Sequence, residues 1–521
     1  LSAAENEKNY GYKKEVHWLD NVKDLISREK LKPDDDISWA AYHASKEPQL
    51  PDYEPAVTSL MPLFLENAHS APMILHGMNV IRSAVELVNP AQTPVIAMDQ
   101  PLFALAKQIQ WQWPHTHRED KLLVMFGGLH IELAILRTLG KCLDKSGWTT
   151  VMANADVATP GVVDSFISAK HITRTRRAHQ ITSSSLYVLQ HRAYEKCITR
   201  AEDRVLLSFT DWRDKMSETC PHFLYWCRVM ELQLLCLQLV KSFRTADFSL
   251  YVDSLTKIMP WMFALDQTNY SRWLSVHIRD MQELPIKHPD VYEKFINGFF
   301  VVHKTHKRFS AIALDQAHEQ ENAVVKGEGG AVGLTENPGA LKRWMISGPE
   351  IARIVSEFEK TTSSRSADSL KHHKQSYSHQ AAFCRDVQSV IDSFEELGNP
   401  FEEEGKNLLA VDTRDIMSDG VVEAIKNVLK IGQEQYTSYV ECRLKHRTTP
   451  ISEPIPRNKL VLFHNSDEKV QSKDKSKVVQ LKNDCSLFSR LYIACQNRDG
   501  NLEEFFRHEN QPWPPSLADR G

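Results

Sequence analysis

The order of apolar patterns along the chain limits the folds that it can form. Residues 91–150 contain two short apolar runs, each followed by a segment with helical spacing. Residues 151–296 show almost no strand signal, and their helical runs are rich in Leu, Trp, Phe and Met. The β signal returns in residues 297–345. We therefore predict one α/β core whose chain is interrupted by a large all-helical insertion, rather than two α/β domains.

The first part of this core has the pattern strand, helix, strand, helix. "TPVIAMD" at 93–99 and "KLLVMF" at 121–126 are short apolar runs bounded by turn signals, as buried strands are. "LFALAKQIQWQW" follows Pro101, and "LHIELAILRTLGKCL" follows Gly127 and Gly128. Both segments have apolar residues at helical spacing. This alternation is typical of an α/β sheet.

The chain has 521 residues, whereas single hydrophobic cores stop growing near ~250 to 300 residues. We therefore predict several regions in a predominantly helical protein. They are an N-terminal helical region (1–90), the first part of the core (91–150), the helical insertion (151–296), the second part of the core (297–345), a helical C-terminal region (346–450), and a linker with a short helical tail (451–521).

The charge of the chain limits how it could bind nucleic acid. The net charge is -4 and the pI is near 6.6, so the whole chain lacks the positive field that usually attracts DNA. Any DNA contact must come from a local patch, and "HITRTRRAH" at 171–179 is the best one. Its Arg174, Arg176 and Arg177 suit phosphate contact. Such runs are more often a solvated surface.

Cysteine usage and hydropathy indicate an intracellular protein that does not span a membrane. The nine cysteines are an odd number without a C-x-x-C pair, which is typical of free thiols in a reducing compartment. The most apolar window, 223–240, carries Arg228 and Glu231 near its middle. A helix in a bilayer tolerates such charges poorly, so we predict a buried core helix.

Acidic and imidazole side chains follow both predicted strands. Asp99 ends the first strand, where a side chain reaches the crevice outside a sheet. It also precedes a helix and would cap it, and this second interpretation is favoured when Asp99 is taken alone. His130 and Glu132 follow the second strand across Gly127 and Gly128. A histidine there could shuttle protons, bind metal or, most commonly, form a hydrogen bond in the core.

Two more carboxylates lie in the segment "SAIALDQAHEQENAVVKGEGG". Asp315 and Glu319 are four residues apart and therefore share one helix face. Together with an acid at a strand end, they could hold Mg²⁺, which prefers oxygen ligands and assists phosphoryl transfer. Acids in a first helical turn also simply complement the helix dipole. The spacing leaves both interpretations open.

Other segments have simpler interpretations. "KGEGGAVG" at 326–333 lacks the Gly-Lys-Ser/Thr ending of a nucleotide-binding loop, so we predict a flexible loop. Residues 361–380 are polar enough to be a loop or linker. Two further sets lack the paired ligand spacing of a zinc site: Cys220, His222 and Cys227, and His372, His373, His379 and Cys384.

Several phrases together point to a protein family. They include "NPAQTPVIAMDQPLFALAKQIQW", "MFGGLHIELAILRTLG", "ITRTRRAHQIT" and "ALDQAHEQENAVVKGEGGAVGLTENPGALKRW". From about 70 to 515 the chain resembles a family of repetitive invertebrate proteins that is related to a transposon-associated domain of unknown function. That family is distantly similar to cut-and-paste transposases, whose RNase H-like core is interrupted by a helical insertion.

The resemblance implies an active site built from acids that bind Mg²⁺. Asp99 would be the first acid and a metal ligand, and Glu319 the last acid and a metal ligand, with Asp315 beside it. Gly128 stands where distant relatives have the second acid. Unless His130 or Glu132 substitutes for it, one metal ligand is missing, and the resemblance then implies a degenerate transposase that has lost most of its activity in phosphoryl transfer. The resemblance further implies DNA as partner, which would place the protein in the nucleus.

The rival interpretation is a helical scaffold that is not an enzyme. In it the same acids are helix caps or surface groups, and the partners are proteins. The oligomeric state stays open in both interpretations.

Overall fold

The fold is described from a computed structural model. It describes residues 15–46 except 29, 55–56, 70–200, 207–326 except 306, single positions between 337 and 362, and 371–465. Of these residues 69% are helical, in 17 α-helices, and the one sheet among them has two parallel strands. The prediction of a predominantly helical protein is confirmed. With two strands among the described residues, an RNase H-like core is not confirmed.

The elements have the following bounds. In chain order they are α1 (Val16–Ile26), α2 (Trp39–Lys46), α3 (Ala71–Val88), β1 (Val95–Met98), α4 (Gln100–Gln112), α5 (Pro114–His117), β2 (Leu123–Phe126), α6 (Gly128–Leu143), α7 (Trp148–Asn154), α8 (Pro160–Ile167), α9 (Ile172–Arg200), α10 (Phe209–Thr219), α11 (Pro221–Arg244), α12 (Phe248–Ala264), α13 (Thr268–Lys287), α14 (Pro289–Ile296), α15 (Leu314–Lys326), α16 (Tyr377–Leu397) and α17 (Asp419–Tyr439). A π-helical turn, Val440–Lys445, extends α17.

The strand, helix, strand, helix unit is present where the sequence predicted it. β1 and β2 pair in parallel, with Val95 opposite Leu123 and Met98 opposite Phe126. Every residue of β2 is buried, as expected for a strand covered on both faces. α4 connects the two strands and α6 follows the second. The carboxyl ends of β1 and β2 therefore meet at one edge of the sheet.

The described residues of the segment predicted as a helical insertion form α7 to α14. Its α11 is long and apolar enough to cross a membrane, but 83% of its apolar window is buried inside the protein, as in a core helix. Arg228 and Glu231 are tolerated there because they form an ion pair at 2.9 Å, one helical turn apart.

Where the sequence predicted a return of strands, the described part of 297–345 contains one antiparallel bridge, between Val302 and Ile312. A side chain bonds the backbone beside this bridge. The guanidinium of Arg244 donates to the carbonyls of Ser310 and Ala311, both at 3.2 Å. The helix predicted next, α15, forms as expected.

Two large hydrophobic clusters form within one compact unit, Leu1–His464. The first contains both strands together with residues of α12, α13 and α17. The second contains residues of α1, α9, α11 and α16. Each cluster therefore combines residues from several predicted regions.

The helical C-terminal region predicted at 346–450 contains α16 and α17 with its π-helical turn. The predicted glycine loop lies outside the described residues, apart from Lys326. Of the linker and short helical tail predicted at 451–521, residues 466–521 also lie outside them.

Candidate active site

The candidate site lies at the edge where the two strands end. Asp99 directly follows β1, and Gly127 directly follows β2. α15 packs against both β1 and α6, and it brings Asp315 and Glu319 to this edge. A crevice outside the carboxyl ends of parallel strands is where α/β proteins usually bind ligands.

Asp99 caps the helix that follows it. Its Oδ1 accepts a hydrogen bond from the backbone N–H of Leu102 at 3.1 Å, and its backbone is extended, as at an N-cap. The capping interpretation of Asp99 is therefore correct. The bond engages one of its two carboxylate oxygens, and the residue is only partly buried. Capping does not remove Asp99 from the crevice.

Asp315 caps a helix that is distant in the chain. Its Oδ1 accepts from the backbone N–H of Leu129 at 3.0 Å, and its Oδ2 accepts from that of His130 at 3.2 Å. Both donors lie in the first turn of α6. The carboxylate also lies 2.9 Å from Nδ1 of His130 and is only 7% exposed.

Two glycines allow this close approach. A Cβ on Gly127 would overlap Oδ2 of Asp315, and a Cβ on Gly128 would lie 2.5 Å from Cζ of Phe243. The Asp315 carboxylate thus occupies the space beside the end of β2, next to the position where the resemblance expected an acid. This acid comes from α15 and not from residue 128.

The ring of His130 is held between acids. Its hydrogen bond to Asp315 raises its pKa, burial opposes this, and the negative charges of Asp315, Asp99 and Glu319 raise the pKa further. All three acids are therefore close enough to act on this ring. Because the Asp315 carboxylate accepts, Nδ1 carries the proton, which leaves Nε2 of the neutral ring as a proton acceptor.

Tyr270, which sequence reasoning missed, lies near the same acids. Burial raises the pKa of its phenol, Arg137 lowers it, and the charges of Asp99 and Asp315 raise it again. Its ring packs against Phe126 at the end of β2, with 5.7 Å between the ring centroids. Tyr270 belongs to the helical insertion, so no local pattern connects it to the strands.

Glu132 does not belong to the crevice. Both of its carboxylate oxygens accept from the guanidinium of Arg176, each at 2.7 Å. The two residues are 2% and 8% exposed, respectively. Burial lowers the pKa of Arg176, but the ion pair with Glu132 outweighs it and the net shift is upward. The structure therefore gives Glu132 a buried partner in place of the metal that we considered for it.

The three arginines predicted to contact phosphate are divided between different environments. Arg176 is buried against Glu132, as described above. Arg177 forms an ion pair with Asp386 at 2.5 Å and lies over the ring of Phe383. Arg174 is exposed on α9. The three therefore do not act together as one surface.

Metal binding at the crevice would depend on two carboxylates. Within the described ranges, no group of three or more His, Cys, Asp or Glu residues is arranged to hold a metal ion. Mg²⁺ is often bound by one or two carboxylates, with water and substrate phosphates completing its shell. Asp99, which is partly buried, and Glu319, which is exposed, are the two carboxylates that such a site would use here. They do not by themselves form a preassembled cage.

The family is shown by sequence comparison. The family model described as a domain of unknown function, DUF8702, matches residues 38–210 and 187–509. The chain belongs to the DUF8702 family. The matched residues of this DUF8702 chain include both strands and α15, and thus the whole crevice. Comparison with curated proteins and with solved structures found no match.

Proposed function

We propose that this chain derives from a DNA transposase with an RNase H-like core, and that its crevice carries out Mg²⁺-dependent phosphoryl transfer on DNA. One observation supports the proposal most directly. Asp99 follows β1, Asp315 and Glu319 lie on the distant helix α15, and all three act electrostatically on His130 at the carboxyl edge of a parallel strand pair. Perturbed titratable groups in such a crevice are typical of catalytic sites. A DNA substrate would place the protein in the nucleus.

The residues of the crevice have distinct roles in this proposal. Asp315 fixes the ring of His130 so that Nε2 accepts the proton of the attacking water or hydroxyl group. Asp99 and Glu319 would hold Mg²⁺, which would supply positive charge for phosphoryl transfer. Because Asp315 is engaged with α6, it is not counted among the residues that would hold the metal, and His130 is the proposed base.

Loss of either metal-binding carboxylate should abolish activity. We expect Asp99→Asn and Glu319→Gln each to reduce Mg²⁺-dependent DNA cleavage by about 100-fold or more. Asparagine retains the capping oxygen at position 99, so folding should be little affected. The assay measures cleavage of labelled DNA with Mg²⁺ and with EDTA.

Glu321→Gln is the matched control, because Glu321 lies on the same helix and pairs with Lys304 at 2.9 Å. It should cleave at the wild-type rate. Equal rates in the wild type, Asp99→Asn and Glu319→Gln, or no cleavage by the wild type, would refute the proposal.

The pH dependence of cleavage should report His130. A general base acts only when it is unprotonated, so the rate should rise with pH through the raised pKa of His130. Asp315→Asn removes the negative charge that raises this pKa and replaces the charge-assisted hydrogen bond with a weaker bond to a neutral amide oxygen. In the pH–rate profile of this variant, the rise in rate should therefore occur at lower pH, and the plateau rate above it should be lower than in the wild type. Rates measured from about pH 5 to about pH 9 would show this. If the rate of Asp315→Asn rose at the same pH as that of the wild type, His130 would be excluded as the base.

The second candidate function is that of a non-catalytic scaffold. The capping roles of Asp99 and Asp315 favour this candidate. Asp99 and Asp315 both satisfy helix N-termini, as structural residues do. In that case Asp99→Ala would lower stability by about 1 kcal/mol, Glu319→Gln would have no effect, and no variant would change cleavage.

A further inference from the structure

A cluster of basic side chains lies outside the crevice. We name it the basic patch, and it combines three segments that are far apart in the sequence. Its members are Arg177, Lys307, His372, His373, Lys374 and His379.

The three histidines of the basic patch touch one another. The rings of His372 and His373 stack with 4.5 Å between their centroids, and His373 meets His379 edge to face at 5.8 Å. Nδ1 of His372 accepts from the backbone N–H of Lys374 at 3.2 Å. These contacts hold the imidazoles and Lys374 on the turn that precedes α16.

The basic side chains repel one another. Burial lowers the pKa of His373, and the charges of Lys374, His379, Lys307 and Arg244 lower it further. Burial and then Arg177 lower the pKa of Lys374. The lowered pKa values leave the histidines mostly uncharged near neutral pH, so the positive charge of the basic patch comes from its lysines and arginine, and it would attract an anion.

Among the described residues, few acids oppose this charge. Asp386 pairs with Arg177, and Asp36, whose pKa is raised mainly by burial, contacts Gln375. These acids leave Lys307, Lys374 and the histidines in a positive field.

Two exposed aromatic rings lie on the histidine-containing segment of the basic patch. Tyr377 follows the histidine turn and is 52% exposed, and His373 is also exposed. Aromatic faces next to basic groups suit unpaired nucleic-acid bases, because bases stack on the rings while phosphates meet the charges.

The basic patch and the crevice share one short segment. Lys307 lies at its start and Asp315 at its end. Arg244 binds the carbonyls of Ser310 and Ala311 in the middle of this segment. The same Arg244 acts electrostatically on His373.

We propose that the basic patch binds single-stranded DNA, with phosphates at Lys307, Lys374 and Arg177 and bases stacked on His373 and Tyr377. The choice of DNA rests on the function proposed above. The strand would lead along residues 307–315 toward the crevice. The sequence predicted phosphate contacts at the three arginines of α9. Of these three, only Arg177 belongs to the basic patch.

Binding can be measured without cleavage. The probe is a fluorescein-labelled oligothymidine of about 20 nucleotides, followed by anisotropy in EDTA at several salt concentrations. Lys307→Gln/Lys374→Gln should weaken binding by about 10-fold or more and reduce the salt slope by about 1.4, since each phosphate that a lysine neutralises contributes about 0.7. Tyr377→Ala should weaken binding by at least about 5-fold, because one base can no longer stack.

Lys426→Gln/Lys430→Gln is the matched control, since it makes the same charge change at two exposed lysines of α17. It should bind like the wild type. An equal loss of affinity in both double variants would overturn the proposal. So would equal binding of single-stranded and duplex DNA together with an unaffected Tyr377→Ala, because the surface would then recognise charge alone.

The proposed function can fail independently of this inference. Asp99→Asn and Glu319→Gln should keep wild-type affinity for the probe. If the probe bound through the basic patch but the protein did not cleave DNA with Mg²⁺, the catalytic proposal would be refuted and the proposal for the basic patch would still hold.

Discussion

Replacing Glu132 with alanine is expected to lower the free energy of unfolding by about 3 to 5 kcal/mol. Glu132 and Arg176 form a bidentate ion pair in the interior, with both bonds at 2.7 Å. The variant would leave the Arg176 guanidinium buried without its partner, and a buried unpaired charge is far more costly than the loss of the pair itself. Urea unfolding followed by circular dichroism would measure the change.

Two controls separate charge burial from other effects. Glu132→Met with Arg176→Met removes both charges and keeps similar volume, so it should recover most of the stability. Glu395→Ala breaks the exposed pair between Glu395 and Arg192, which is 3.0 Å long, and should cost less than about 1 kcal/mol. If Glu132→Ala cost no more than Glu395→Ala, the buried pair would not have the role that we assign to it.

Restoring an acid at position 128 is expected to destabilise the protein. A Cβ on Gly128 would lie 2.5 Å from Cζ of Phe243 and 2.8 Å from Cβ of Ala313. Gly128→Ala should therefore cost about 1 to 3 kcal/mol through overpacking. Gly128→Asp should cost at least about 3 kcal/mol, because it adds a buried carboxylate among the apolar side chains of Phe243 and Ala313. It should not raise cleavage above the wild-type rate.

Gly161→Ala is the matched glycine control. A Cβ at this position of α8 would meet no atom within 4 Å, so the change in stability should stay within about 1 kcal/mol. Thermal unfolding of the three variants gives the comparison. A stable and more active Gly128→Asp would mean that the crevice is built differently from the description above.

Features that depend on neighbouring residues were predictable from the sequence. Turn residues and apolar runs predicted β1 and β2, and helical spacing predicted α4 and α6. The long apolar segment was predicted to be a buried helix, and α11 is one. The sequence also predicted that Asp99 would cap a helix, because a cap and its helix are adjacent in the chain.

Features that depend on contacts between distant segments were not predictable in this way. The sequence predicted strands after the insertion but could not show that Arg244 binds the backbone there. It proposed Glu132 for the crevice, whereas Arg176 draws that side chain into the interior. The histidine turn of the basic patch was interpreted as a polar linker and an unconvincing zinc set, because the charges of the patch come from three segments.

The candidate site combines both kinds of feature. The sequence by itself determined the parallel strand pair, the acid at the end of β1 and the helical face that carries Asp315 and Glu319, because periodicity and capping act over a few residues. Only the tertiary structure decided that Asp315 docks on Gly127 and orients His130. That contact joins residues far apart in the chain, and it depends on the space that two glycines leave beside β2.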